Sequence, residues 1–164
     1  MESSHTIQPK SLAISFISLT VFACLLWSCR SGTVFDQSKS IPVSGWDELN
    51  KIRFEVPVND TANIYNFYLN IRHSTSYRYS NIYFFITTFF PDGKVGRDTV
   101  QCILADPTGK WLGRGLTNIK DNQVLLRGGL RFPRKGTYVF EFEQAMRQKN
   151  LPGIKDIGIK LEKI

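Results

Sequence analysis

The sequence predicts an all-β domain, an antiparallel β-sandwich of jelly-roll type. Three observations predict it. Apolar residues alternate with polar ones along several short segments, the period of a half-buried strand rather than of a helix. Pro/Gly turn signals recur between these segments at intervals of roughly 8–12 residues, the spacing of sandwiches and barrels. No segment carries a sustained helical period; the best helical candidate, a short polar stretch over residues 143–149, reads as one turn or simply as loop.

The elements follow in order. Residues 1–28 read as an export signal. Lys10 precedes an almost wholly apolar run over residues 12–27, and Ser, Gly and Thr follow it. Roughly 20 apolar residues are needed to span a bilayer, so this run suits a signal h-region better than a transmembrane helix. It ends in Leu26-Trp27-Ser28-Cys29, which resembles a bacterial lipobox, with Cys29 as the lipid-bearing residue. Trp27 stands where the pattern prefers a small residue, and Cys24 is a second candidate. Residues 29–45, rich in Ser, Gly, Gln, Lys and Pro, read as a tether, and residues 46–164 as the sandwich.

Within the sandwich, Ile52, Phe54, Val56 and Val58 alternate with Lys51, Arg53 and Glu55, and Tyr65, Phe67, Leu69 and Ile71 alternate with Asn66, Tyr68, Asn70 and Arg72. Residues 82–90 are apolar or β-branched on both faces, so this strand belongs in the middle of a sheet, with one face packed and the other covered or aromatic. Pro91-Asp92-Gly93-Lys94 turns the chain into a strand over residues 97–104. Further strands are expected at 123–126, 130–132, 137–142 (Tyr138, Phe140 and Phe142 inward) and 157–161, with a turn at Pro133-Arg134-Lys135-Gly136. A long Gly/Pro-rich stretch over residues 105–115 carries Trp111.

Composition bounds the function. The net charge is +7, and export would remove one basic and one acidic residue, leaving it unchanged. An exported basic domain meets anionic lipid and glycan, not nucleic acid. Once Cys29 is acylated, Cys102 is the remaining cysteine beyond the signal, so no intramolecular disulfide is available. One histidine, His73, follows the signal, and no metal or cofactor signature accompanies it. No nucleophile elbow, His-Glu-x-x-His pair or phosphate-binding loop occurs. Carboxylate pairs drawn from Asp47, Glu48, Asp106, Glu141 or Glu143 read as solvated face residues, so the expectation is a non-enzymatic protein.

Two surface features stand apart. Tyr77, Tyr79 and Trp111 are placed where exposed rings would stack on sugars, which makes a glycan-binding module the second reading of the chain. Asp60-Thr61-Ala62 and Asp98-Thr99-Val100 are similar to the Asp-Thr-apolar acceptors of Bacteroidetes O-glycans, with Thr61 and Thr99 as acceptors.

Longer blocks suggest a family. Residues 40–46, Phe90-Pro91-Asp92-Gly93-Lys94, Ala105-Asp106-Pro107-Thr108-Gly109-Lys110-Trp111, Phe132-Pro133-Arg134-Lys135-Gly136 and Leu151-Pro152-Gly153-Ile154 resemble, in order, the gliding-motility lipoproteins of the GldH type. The resemblance implies a palmitate-bearing lipoprotein of the cell envelope, at the outer membrane. It also implies a role beside other envelope proteins in gliding and in type IX secretion. It offers no catalytic residue; only Cys29 carries over.

Overall fold

A computed structural model describes residues 32–164. The expected signal segment, Cys24 and the expected lipid-bearing Cys29 lie outside the described residues. Two four-stranded antiparallel sheets pack face to face. One has the order β1(Thr33–Ser40), β10(Ile154–Lys163), β4(Tyr65–Ser74), β7(Ile119–Leu130); the other runs β3(Ile52–Val58), β8(Gly136–Gln144), β5(Asn81–Phe89), β6(Val95–Ile103). A two-residue ladder joins β2(Trp46–Asp47) to β9(Asn150–Leu151). Successive long strands mostly cross from one sheet to the other. With four strands in each sheet, that is the jelly-roll connection. No helix occurs among the described residues.

The alternation in the sequence is the alternation in burial. Strand β3 alternates buried and exposed at every position, and β4 sends Tyr65, Phe67, Leu69, Ile71 and His73 inward. Facing them from the second sheet are Phe54, Phe84, Tyr138, Phe140 and Phe142. Aromatic pairs cross the gap: Phe67 and Phe140 have ring centroids 4.8 Å apart. Strand β5 is interior as expected, and its outer face is the aromatic one. Arg97 lies over Phe85 at 4.5 Å and Arg53 over Phe89 at 5.8 Å, cation–π covers that shield the rings from water. Pro57 falls on β3, an edge strand, where the missing N–H costs no ladder bond.

Four expectations need correction. Residues 33–40, expected as tether, form β1, paired along its length with β10. Apart from half-buried Thr33 and Phe35, its residues are exposed, so the hydrophobic alternation that marks a strand is missing and backbone pairing, with Phe35 packed on the core, makes it one. The strand expected at 123–126 is longer, β7, and runs through Gly128 and Gly129 to Leu130, so that of the separate strand expected at 130–132 only Leu130 is in a strand and residues 131–132 are irregular. The two glycines sit beside shifts in the register of β7 with β4, a bulge. Residues 143–149, expected as one helical turn or simply loop, are the end of β8 followed by irregular loop. Strand β6 starts at Val95, two residues earlier than expected.

The two Pro-x-Gly-Lys segments share one construction. In each, the first residue's carbonyl accepts from the glycine N–H, at 3.0 Å in both Phe90–Gly93 and Asp106–Gly109, and its own N–H donates to the lysine carbonyl, at 2.9 Å in both. Gly93 and Gly109 take φ of 82° and 86°. This is a tight turn closed by a glycine bulge, and only glycine adopts that φ freely. The first turn joins β5 to β6; the second returns the chain so that Trp111 bridges to Ala105.

Candidate functional site

The second of these turns decides the fate of the aromatic residues. Asp106 Oδ1 accepts from the Thr108 and Lys110 N–H groups and from the Thr108 hydroxyl, which holds its carboxyl below the ordinary carboxylate range. The fixed turn lays Trp111 on His73, with centroids 4.5 Å apart, and Tyr77 packs on the same imidazole at 5.8 Å. Tyr77 is 4 % exposed, its hydroxyl donates to the Asn81 carbonyl, and burial raises its pKa strongly. Tyr79, 36 % exposed, stands edge-on to Tyr77 and donates to Gln148. The three rings therefore do not form an exposed platform. They close one end of the core around His73, and the expected glycan-stacking site is withdrawn: Tyr77 faces inward because Tyr77-Arg78-Tyr79 is a packed corner, not a free loop.

His73 is fully buried. Desolvation lowers its pKa, with nearby Lys120 acting in the same direction; the hydrogen bond from Nδ1 to the Ser74 carbonyl and the Asp121 carboxylate act against it. Its Nε2 has no partner. Cys102 is likewise buried, and burial pushes its thiol up to about 12, so it is unreactive at neutral pH.

Two of the candidate carboxylates, Glu141 and Glu143, are held in ion pairs, and Glu141 is buried rather than the solvated face residue expected. Glu141, 2 % exposed on the outer face of its sheet, receives Lys51 at 3.0 Å and Arg53. Burial works to raise its pKa, but the two hydrogen-bonded cations outweigh burial and hold it below the ordinary range. Glu143 meets Lys51 at 3.1 Å and Arg97 at 3.5 Å. Asp47 accepts from the Leu49 N–H. No group of three or more metal-ligating side chains comes together among the described residues. Thr61 lies in the β3–β4 loop, where Asp60 caps the Ala62 N–H; Thr99 is exposed on the edge strand β6.

What sequence reasoning missed is the open side of the sandwich. Strands β6 and β7 are the edges of the two sheets on one side of the sandwich, as β3 and β1 are on the other. Between β6 and β7 lies a cleft of about 520 Å³, whose lining includes Phe67, Ile86, Val100, Leu126 and Phe140, within the usual range of roughly 300–1,000 Å³ for ligand sites. Arg127 and Arg131 also line it, as does Asp98. No local motif announces such a cleft. The one sequence signal is that Val124, Leu126 and Leu130 of β7 are apolar at inward positions yet only half-buried.

These features describe an all-β sandwich whose buried histidine and cysteine are packed into its core, with an apolar cleft at its open side. Comparison with known proteins gives the family. The family model described as GldH lipoprotein matches residues 33–161, and the chain belongs to this family. It is 32 % identical over 155 residues to a gliding motility lipoprotein GldH homolog of Christiangramia forsetii, covering 90 % of this chain and 94 % of that protein. It is also 32 % identical over 151 residues to the gliding motility lipoprotein GldH of Flavobacterium johnsoniae, covering 88 % and 93 %. The family match begins at Thr33, the first residue of β1, so this strand lies within the family domain.

Proposed function

We propose that this protein is a non-enzymatic lipoprotein anchored through Cys29 at the outer membrane, where it supports gliding and the associated type IX secretion machinery as a binding or assembly component. The observation that supports this most is a family match spanning the whole sandwich, with a lipobox-like cysteine four residues before its first strand. The commitment of Glu141 and Glu143 to cations and the burial of His73 and Cys102 agree with a role in binding rather than catalysis.

Deletion in a gliding host is expected to abolish colony spreading and secretion of type IX cargo, and normal spreading with normal secretion would refute the role. Labelled palmitate should enter the wild type and be lost in Cys29→Ser. Label that persists in Cys29→Ser would move the anchor to Cys24. Thr61 is the acceptor favoured for an O-glycan, because its loop backbone is not paired in a ladder and can adapt to a transferase, whereas Thr99, though the more exposed side chain, is held in β6. Replacing Thr61 with Ala should remove any glycan mass shift from the intact protein.

A further inference from the structure

The cleft between β6 and β7 opens at the end of the sandwich where the chain enters. Strand β1 begins beside the end of β10, Lys163 pairs with Tyr65 and Tyr65 with Leu130. Thr33, the β5–β6 turn and the β7–β8 turn therefore share one end. Cys29 precedes Thr33 by four residues. At roughly 3.3–3.6 Å per extended residue, a lipid-bearing Cys29 lies within about 14 Å of the first strand. This end of the domain cannot stand far from the bilayer.

Two kinds of occupant suit an apolar cleft flanked by strand edges: an added strand or an acyl chain. The edges are built against a strand. Asp98, paired with Ile86, points toward the intersheet space from β6, and β7 is bulged beside the cleft, with Gly129 at a φ of 66°. An inward charge and a bulge are the devices by which sheets refuse edge pairing. An acyl chain asks for no backbone hydrogen bonds. Its walls are present in Phe67, Phe140, Ile86 and Leu126, with half-buried Val100 and Leu130 nearer the opening. Arg127 and Arg131 line the same cleft, are exposed, and make no ion pair among the described residues. Arginine at such a rim suits a phosphate.

We propose that this cleft takes an acyl chain of an anionic phospholipid from the membrane surface, with Arg127 and Arg131 holding its phosphate on the β7 side, away from Asp98. The proposal rests on the anchored reading above, because the short link to Cys29 is what brings the opening to the bilayer. Its effect is to fix how the domain sits on the membrane, not merely that it is attached.

The test uses the full-length protein purified from envelope and placed in phosphatidylethanolamine vesicles, with or without phosphatidylglycerol carrying a photoactivatable group on its acyl chain. The same group on phosphatidylethanolamine is the comparison. Adducts mapped by mass spectrometry should fall on the peptides holding Phe90, Val100 and residues 126–130, several-fold more with the phosphatidylglycerol probe. Leu126→Trp, which fills the cleft, should abolish them at an unchanged or raised unfolding midpoint; Val100→Trp replaces it if that variant fails to fold. Arg127→Glu with Arg131→Glu should erase the preference for phosphatidylglycerol. Adducts spread evenly over the surface, labelling undiminished in a folded cleft-filled variant, or a peptide found crosslinked in the cleft in whole envelope would overturn the proposal. Palmitate incorporation is scored separately. A palmitoylated protein without cleft adducts refutes the lipid site and leaves the anchor standing; an unacylated one refutes the anchor and with it the lipid's route to the cleft.

Discussion

His73 shows what a buried residue contributes when it does no chemistry. Its imidazole is neutral in the folded state, with a pKa below the ordinary 6.5 because it is desolvated. Below that pH the unfolded chain binds the proton that the folded chain refuses, so stability falls as pH drops from about 6.5 and levels off below the folded value. The unfolding midpoint of the wild type should decline with acidification across this window. His73→Phe, which keeps the ring stack with Trp111 and Tyr77, should flatten that decline; an equally steep one in the variant would show that other groups cause it. Trp111 itself is packing, so Trp111→Ala should cost about 3 kcal/mol in denaturant unfolding, near the lower end for large-to-small aromatic truncations because it is only half-buried. The presence of these rings was legible in the sequence, but their direction was not. Tyr77 reads as exposed because its neighbours Ser76 and Arg78 are polar, and only the fixed turn at Asp106 places the Trp111 ring over His73.

At the scale of elements, strands that bury one whole face were legible, whether interior or edge, and those that bury little were not. Strands β3, β4, β5 and β8 each bury one face, and burial writes itself as alternation in sequence. Strand β1 buries little, and the glycines inside β7 interrupt its pattern. What holds β1 is its fit to β10, and Gly158 makes that fit possible. A Cβ built there would lie 2.2 Å from Ser38 Oγ and 2.8 Å from the Gln37 carbonyl oxygen. Gly158→Val should therefore part β1 from β10, costing about 1–3 kcal/mol as overpacking does and accelerating amide exchange across residues 34–40. Unchanged exchange there would mean that β1 pairs more tolerantly than its geometry indicates. At Gly109, where open space surrounds the added Cβ, the cost of alanine is conformational alone, about 1 kcal/mol.

For the whole molecule, the sequence carried the class and the family but not the cleft, because a cleft belongs to the pairing of two distant edges and no contiguous stretch encodes it. The same connectivity sets where the chain's ends lie. The Lys163 N–H donates to the Gly32 carbonyl at 2.7 Å, so the last residues of β10 lie beside Gly32, where the described domain begins. The loop between β6 and β7, with Leu116 fully exposed, lies at the opposite end. The consequence is practical. With lipid on Cys29, an epitope or fluorescent protein fused after Ile164 would be wedged between the domain and the bilayer, where it crowds the anchor and escapes antibodies. The same reporter inserted between Leu116 and Thr117 would project into the aqueous compartment, so loss of function from a C-terminal fusion alongside full function from the loop insertion would report the orientation of this protein in living cells.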